Sequence, residues 1–407
     1  MAVDIPVSAS VVLTWNDCVK EAARNHPDLI AAQQGVVQQE ASVSLAGSSR
    51  WPQFSAALGA SNTWSSKSGS GNSFSYGIAG SQLLFDGFKT ANIVSAARQD
   101  VIAAKAGYRF TSAALRLRLR QAFINVLKAQ KLAGLTQEIQ KLRSNSLSLI
   151  TLRYQSGMEH KGALLAAKAN LAQADFDIDR ARRGLESAQT ALGKELGRDR
   201  FSPLRVKGSF EIAFASLTKP DMENIAGSDP SLQKIRSQKR SAGFSLKAEQ
   251  GDFWPQLSLT GDVSRSDTHW MPEDQGSSAG LRVSWPVFEG GSRAATLTRS
   301  RSVYRQLEEQ ERSTGASVRL DLEQSWNAFV DAAGYVTVQQ QYLLAAEERA
   351  KIAEQQYSVG LSTYNDWTII EDGLVSSKKS FLDTQANAVL MQAAWIAATG
   401  ETLEYEK

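Results

Sequence analysis

The side chains best able to do chemistry are few and badly spaced for it. His26, His160 and His269 are the only histidines of the 407-residue chain, and they lack the short spacing of a metal pair. Each falls in a turn or loop signal and reads as an ordinary hydrogen-bonded surface histidine. Asp175, Asp177 and Asp179 look like a ligand row. Alternate residues of a helix do not share a face, however, so they read as a solvated stretch. The single cysteine, Cys18, excludes an intramolecular disulfide framework and a multi-cysteine metal site, and reads as a small buried hydrophobe. No G-x-S-x-G, P-loop or H-E-x-x-H pattern occurs. The expectation is no enzyme, no cofactor and no metal.

Lysine and arginine number 45 against 42 acidic residues, a formal charge of +3. That balance, without a basic block, predicts no nucleic-acid partner. No run of 18 apolar residues predicts a transmembrane helix. No signal peptide is read at Met1-Ala2-Val3-Asp4, which is expected to be a mature chain with a new initiator.

What must position any functional side chain is a rod. No proline occurs between Pro52 and Pro203. From Lys89 to Tyr154 the apolar residues Ile93, Ala97, Val101, Ala104, Leu115, Leu119, Phe123 and Leu127 recur mostly at three- and four-residue steps. A continuous helix there would be ~65 residues and roughly 100 Å long. The rod recurs at a constant offset of 203, from Arg293 to Tyr357. The same offset carries Pro27 to Pro230, Trp51-Pro52-Gln53 to Trp254-Pro255-Gln256, Arg116 to Arg319 and Gly157 to Gly360. This is a two-fold internal repeat.

Residues 1–12 read as an extended lead-in. Thr14 reads as the N-cap of a helix to about Asn25, and His26-Pro27 interrupts before a second helix from about Asp28 to Ala46. Between helices the period falls to two. Phe54, Ala56, Leu58 and Ala60 alternate with Gln53, Ser55, Ala57 and Gly59. After a Ser/Gly-rich loop over 65–72, Phe74, Tyr76 and Ile78 alternate with Ser73, Ser75 and Gly77. The second copy places Leu257, Leu259 and Val263 before a loop over 266–278, then Leu281, Val283 and Trp285. One such hairpin reads as a soluble hairpin packed on a helix. Two, of membrane-spanning length and with Trp51, Trp64, Phe85, Trp254, Trp270 and Trp285 near their strand ends, fit an outer-membrane interface. Four strands cannot close a barrel, so spanning would require oligomers. The first repeat covers 1–202, with a hairpin about 51–86, a long helix about 89–155 and a return helix about 163–196. A linker covers 203–222, β-like over Leu204–Phe214. The second repeat covers 223–407, with hairpin about 254–289, long helix about 293–357 and return helix about 366–399.

This order, given twice, resembles the TolC-like outer-membrane factor family. The resemblance is carried by the strand starts at Trp51 and Trp254 and by the corners Leu84-Phe85-Asp86-Gly87 and Trp285-Pro286-Val287-Phe288-Glu289-Gly290. The turns Arg153-Tyr154-Gln155-Ser156-Gly157 and Gln356-Tyr357-Ser358-Val359-Gly360 complete it. It covers about residues 13–400. It implies a mainly α chain with a β-barrel portion: a homotrimer whose four strands per chain make a 12-stranded barrel in the outer membrane of a Gram-negative bacterium, touching its lipid. That barrel would continue into a long periplasmic α-helical barrel, with 203–222 an equatorial linker. The implied function is the exit duct of a tripartite efflux pump or type I secretion system. The implied partners are a periplasmic adaptor (membrane fusion) protein and an inner-membrane transporter of RND or ABC type, docked around Tyr154, Gly157 and Gly360.

The resemblance also implies a gate where helix pairs coil inward around the second tip turn. Aligned from Tyr357 and Gly360, its first acidic ring position is Asp366, which reads equally well as a solvated helix N-cap; the second falls on Ile369, with Glu371 and Asp372 just beyond. Ser362 stands where close relatives carry an arginine that ties the tip shut, and Ala163 takes the place of Asp366 in the first repeat. A lipid anchor on Cys18 is not expected inside a helix. The competing reading is a soluble periplasmic coiled-coil adaptor or rod; paired amphipathic strands count against it.

Overall fold

A computed structural model describes residues 11–67, 69–200, 203–211 and 218–403. Most of the expected lead-in lies outside these residues. In chain order the elements are β1 (Val11–Leu13), α1 (Trp15–Asn25), α2 (Pro27–Ser48), β2 (Gln53–Ser65), β3 (Gly69–Phe85), α3 (Lys89–Gln155) and α4 (Lys161–Glu195). They are followed by β4 (Leu204–Val206), α5 (Met222–Ser228), α6 (Pro230–Gly251), β5 (Gln256–Asp267), β6 (Gln275–Ser284), α7 (Ser292–Ser358) and α8 (Tyr364–Ala398). The duplication is visible in the lengths: α2 and α6 have 22 residues, α3 and α7 have 67, and α4 and α8 have 35.

Local chemistry sets the element ends. Thr14 and Asp17 form a capping box on α1: Thr14 donates to Asp17 Oδ2 from its backbone N (3.0 Å) and hydroxyl (2.7 Å). Pro27 forces His26 into an extended conformation, and Pro27 and Pro230 occupy first helical positions where no N–H is needed. The long helices stop at glycines with positive φ, Gly157 (73°) and Gly360 (81°). Met158 N reaches Arg153 O at 2.9 Å and Leu361 N reaches Gln356 O at 2.8 Å, closing the same C-terminal motif twice.

Both hairpin loops are shorter than their composition implied. β2 and β3 stay paired out to Ser65↔Gly69, and β6 begins at Gln275, because serine and glycine still supply ladder hydrogen bonds. β6 ends early, at Ser284, shortly before Pro286. The β-like stretch after Leu204 is only Leu204–Val206; 207–211 are irregular, and 212–214 lie outside the described residues. This short strand pairs parallel with β1, and Gln130 completes its other side, its amide bonding Val206 N and O at 2.9 Å each.

Contacts divide the chain into two units, each drawing segments from both repeats. One comprises 1–31, 109–229 and 317–407. Leu115, Leu119, Ile124, Leu192, Leu196 and Leu322 are fully buried in it, and Cys18 is too; burial pushes its thiol up to about 12. His26 is also buried, correcting its reading as a surface residue: its Nδ1 accepts from Asp28 N at 3.2 Å and its Nε2 lies 3.7 Å from Glu195. Burial alone would raise the Glu195 pKa, but Lys194 and Arg118 outweigh it and hold the carboxyl below its ordinary range.

The other unit, 32–108 and 230–316, holds the sheet β2-β3-β5-β6, antiparallel throughout. At its first corner the buried Asp86 carboxylate accepts from Thr90 N (2.7 Å) at the start of α3. Gly87 there has φ +66°, and a Cβ on it would lie 2.5 Å from Gly251 O and 2.8 Å from Trp254 Cβ. At the second corner Gly290 has φ +58° with open space around it. Both Gly→Ala changes carry left-handed strain of roughly 1 kcal/mol, and only Gly87→Ala adds a backbone collision. Gly87→Ala is therefore expected to lower the apparent melting temperature, followed by circular dichroism in detergent, several degrees more than Gly290→Ala; equal shifts would contradict this packing.

Candidate functional site: the sheet faces and the helical tip

The strand register sorts side chains by chemistry. Directly paired residues share a face, so Phe54, Ala56, Leu58, Ile78, Tyr76, Val263, Leu259, Leu281 and Leu257 fall on one side. The other side takes Gln53, Ser55, Ala57 and Gly59 from β2, Ser75, Gly77 and Ala79 from β3, and Ser258, Thr260 and Ser264 from β5. The apolar side is not covered by the described residues: Phe54 is 76 % and Leu58 86 % exposed. Neither β2 nor β6 has a partner on its outer edge among the described residues.

All six aromatics singled out for an interface are exposed, and they gather at the two ends of the sheet. Trp51, Phe85, Trp254 and Trp285 stand where strands meet helices; Trp285 Nε1 donates to Phe253 O at 3.3 Å. Trp64 ends β2 and Trp270 lies in the β5–β6 turn, edge-on to Phe74 at 5.4 Å.

In the first unit the tip turns are held together through Tyr357. This tyrosine is 1 % exposed, whereas its repeat counterpart Tyr154 is 38 % exposed. Its ring stacks on Trp367 at 4.6 Å, in a cluster with Ile150, Ala163, Ala167 and Ala353. Arg153 lies over the other side at 4.7 Å, and its Nη1 donates to Tyr357 O (3.0 Å) and Ser358 O (3.3 Å), carbonyls at the end of α7. The phenol donates to Glu159 Oε2 at 2.8 Å; burial first, then Glu159, push its pKa up. Glu159 precedes His160, whose Nδ1 caps α4 by accepting from Ala163 N at 3.0 Å.

The other gate candidates are placed differently. Asp366 is exposed and completes a cap at the start of α8: Thr363 Oγ1 donates to its Oδ2 at 2.6 Å and accepts from its N at 3.2 Å. Ile369 is 62 % exposed, and Ser362 donates to Thr363 O at 3.4 Å. Asp177, read as solvated, instead pairs with Lys379 (3.1 Å) and Arg180 (3.1 Å). Among the described residues no cluster of histidine, cysteine or carboxylates could hold a metal, and no helix is long and apolar enough to cross a membrane.

Sequence reasoning missed a buried ion pair above the tip. Arg143 on α3 donates to Glu371 Oε2 (2.7 Å) and to Asp372 on α8, and Ser146 donates to Glu371 Oε1 (2.7 Å). Arg143 is 8 % and Glu371 5 % exposed, and burial pushes the Glu371 carboxyl up. A usable signal was the broken repeat: Arg143 and Glu371 correspond to Ala346 and Lys168. Removing one partner of a buried pair costs about 3–5 kcal/mol. Arg143→Met is expected to drop the apparent unfolding temperature by several degrees at neutral pH. The drop should shrink towards pH 5: without Arg143, which holds the Glu371 pKa down, burial raises it further in the variant, so acidification neutralises the orphaned carboxylate and stabilises the variant more than the parent. Arg143→Met with Glu371→Met should recover most of the loss; a double variant no better than the single one would show that the pair is not the source.

Comparison with known proteins adds a family to this geometry. Over nearly its whole length the chain is similar to the outer membrane efflux protein BepC of Brucella suis, 22% identical over 96% of this chain and 86% of the relative. The cation efflux system protein CusC of Escherichia coli K12 is 22% identical over 90% and 81%. The fold matches the open-state crystal structure of the Neisseria gonorrhoeae MtrE outer membrane channel with a TM-score of 0.84, at 19% identity over 98% of this chain and 94% of that one. The family model described as outer membrane efflux protein matches residues 18–198 and 222–401, one match for each repeat. The chain thus belongs to the outer membrane efflux protein family.

Proposed function

We propose that the protein is the outer-membrane exit duct of a tripartite efflux pump or type I secretion system. The observation that carries this reading is the sheet, with one apolar face, one small-polar face and two open edges. Unpaired backbone groups are not tolerated in lipid, so a spanning sheet must close. Edge-to-edge pairing of three copies, β6 of one with β2 of the next, makes twelve strands, and the aromatics at the two sheet ends then form interfacial girdles. Trp51 to Trp64 is thirteen strand steps, roughly 30 Å after a tilt near 45°. The helices would form the periplasmic tunnel, with 1–202 and 223–407 as its repeats and 203–222 as the equatorial linker. Energy comes from an inner-membrane transporter acting through a periplasmic adaptor, in keeping with a sequence that carries no P-loop. That CusC is named a cation efflux protein and BepC an efflux protein supports efflux as the task.

Exposed Met158, Val359 and Leu361 at the tip turns offer the adaptor an apolar docking surface. Arg153, Glu159 and Tyr357 act as the latch that docking releases, freeing α7 and α8 to move outward. Asp366 and Ile369 line the gate that then widens. A soluble adaptor or rod is the rival reading; it leaves the exposed apolar sheet face without a purpose.

Electron-microscope imaging of the detergent-purified protein tests the duct. Three-fold end views and a rod with a detergent belt near one end are expected; short monomers without a belt would remove the barrel and favour the rod. The latch has its own test. Hydrogen bonds to a charged group are worth about 1.5–3 kcal/mol, so Tyr357→Phe and Arg153→Ala should each raise resting open probability in lipid bilayers roughly tenfold or more. Unchanged openings in both would dismiss the latch. Asp366→Asn keeps an acceptor for Thr363 while removing the charge. A rise in resting conductance with Asp366→Asn assigns Asp366 to the gate; a rise only with Asp366→Ala assigns it to the helix cap.

A further inference from the structure

The small-polar face of the sheet carries very little charge, and that scarcity gives two residues unusual weight. On β2 its described residues are Gln53, Ser55, Ala57, Gly59, Ser61, Thr63 and Ser65, and on β3 it is serine, glycine and alanine up to Leu83. β5 and β6 add one charge each, Asp262 and Arg282. Arg265 and Asp267 also lie on β5, but the register places them on the opposite face, with Leu58, Tyr76 and Phe74.

The two inward charges are not equivalent. Asp262 sits between Ala79 and Ser278, and the Ser278 hydroxyl donates to its carboxylate. Arg282 is exposed, level with Ser258 and Leu83 near the strand ends that lead to the helices. It lies four residues along β6 from Ser278, hence roughly 13 Å from the Asp262 level. That exceeds the screening length of about 8 Å at physiological ionic strength, so Asp262 does not neutralise it. Gly280 and the serines around Arg282 leave its guanidinium free of bulky neighbours on its own strand.

We propose that Arg282 is the charge-selecting residue of the barrel wall and favours passage of anionic solutes or of cargo presenting negative charge. This rests on the reading of the sheet as part of a closed pore: in a three-chain barrel Arg282 would recur three times at one level. A ring of three cations acts on a permeating ion over about a Debye length, so its influence is separate from that of Asp262 at physiological ionic strength and fades at molar salt.

Reversal potentials of the purified protein in planar bilayers of neutral lipid, under a potassium chloride gradient, test the assignment. Recording the Arg153→Ala background as well keeps the channel from being hidden by a closed tip. At about 0.15 M salt, where the screening length is about 8 Å and the Asp262 level is screened from Arg282, Arg282→Ser should lower the chloride-to-potassium permeability ratio roughly threefold or more, Arg282→Lys should keep it, and Asp262→Asn should raise it. The differences should vanish near 1 M. Conducting channels with the same reversal potential in Arg282→Ser as in the parent would overturn the role of Arg282 while leaving the duct intact. No conductance in any background would overturn the pore wall itself, and the selectivity with it.

Discussion

Backbone hydrogen bonding at the two edges of one sheet constrains everything else. β2 and β6 expose ladders of N–H and C=O groups that have no partner among the described residues. The face they border is apolar along the middle of the strands, where water is not the intended solvent. On the proposed reading, such a sheet is one segment of a closed barrel. The helices inherit the consequence: α3 and α7 leave the strand ends through tight corners at Gly87 and Gly290, so the register of the sheet sets where each rod begins.

The tip solves a second problem, holding long helices together through a small cluster in which Ile150, Tyr357 and Trp367 pack with Ala163, Ala167 and Ala353. Much of the buried material is alanine, which packs closely but adds little directional specificity. The specificity comes from a few polar groups with demanding geometry. Arg153 caps foreign carbonyls and stacks on a ring, Tyr357 places one hydroxyl on one carboxylate, and Arg143 spends its guanidinium on two acidic residues of α8. Each such contact is costly to half-break.

Much of the fold was legible in the sequence because its signals are long and doubled. A proline-free run of helical period and a strict offset of 203 leave few alternatives for α3 and α7. Alternation in β2 and β5 identified the faces before the register showed them paired. The loops were misread because serine and glycine at 69–72 signal turns by composition, while their backbones remain in the ladder. His26 was misplaced because burial beside Glu195 is a tertiary fact that no local pattern announces. Of the tip residues, Tyr357 and Asp366 could be located by alignment of motifs. The partners Arg153, Glu159 and Trp367 depend on which helices meet, and Asp366 is engaged in its own helix cap, one of the two readings its position left open.

The repeat fails at the tip, and there lies a consequence for how such a molecule can work at all. Arg153, Glu159, Trp367 and Glu371 match Gln356, Ser362, Leu164 and Lys168 at the common offset. Even the shared tyrosine is buried in one copy and open to solvent in the other. A chain with only one copy could not make this distinction, since every hairpin in its assembly would carry the same residues. Duplication inside a single polypeptide lets two hairpins of identical length carry different side chains at matching positions, with no loss of fit.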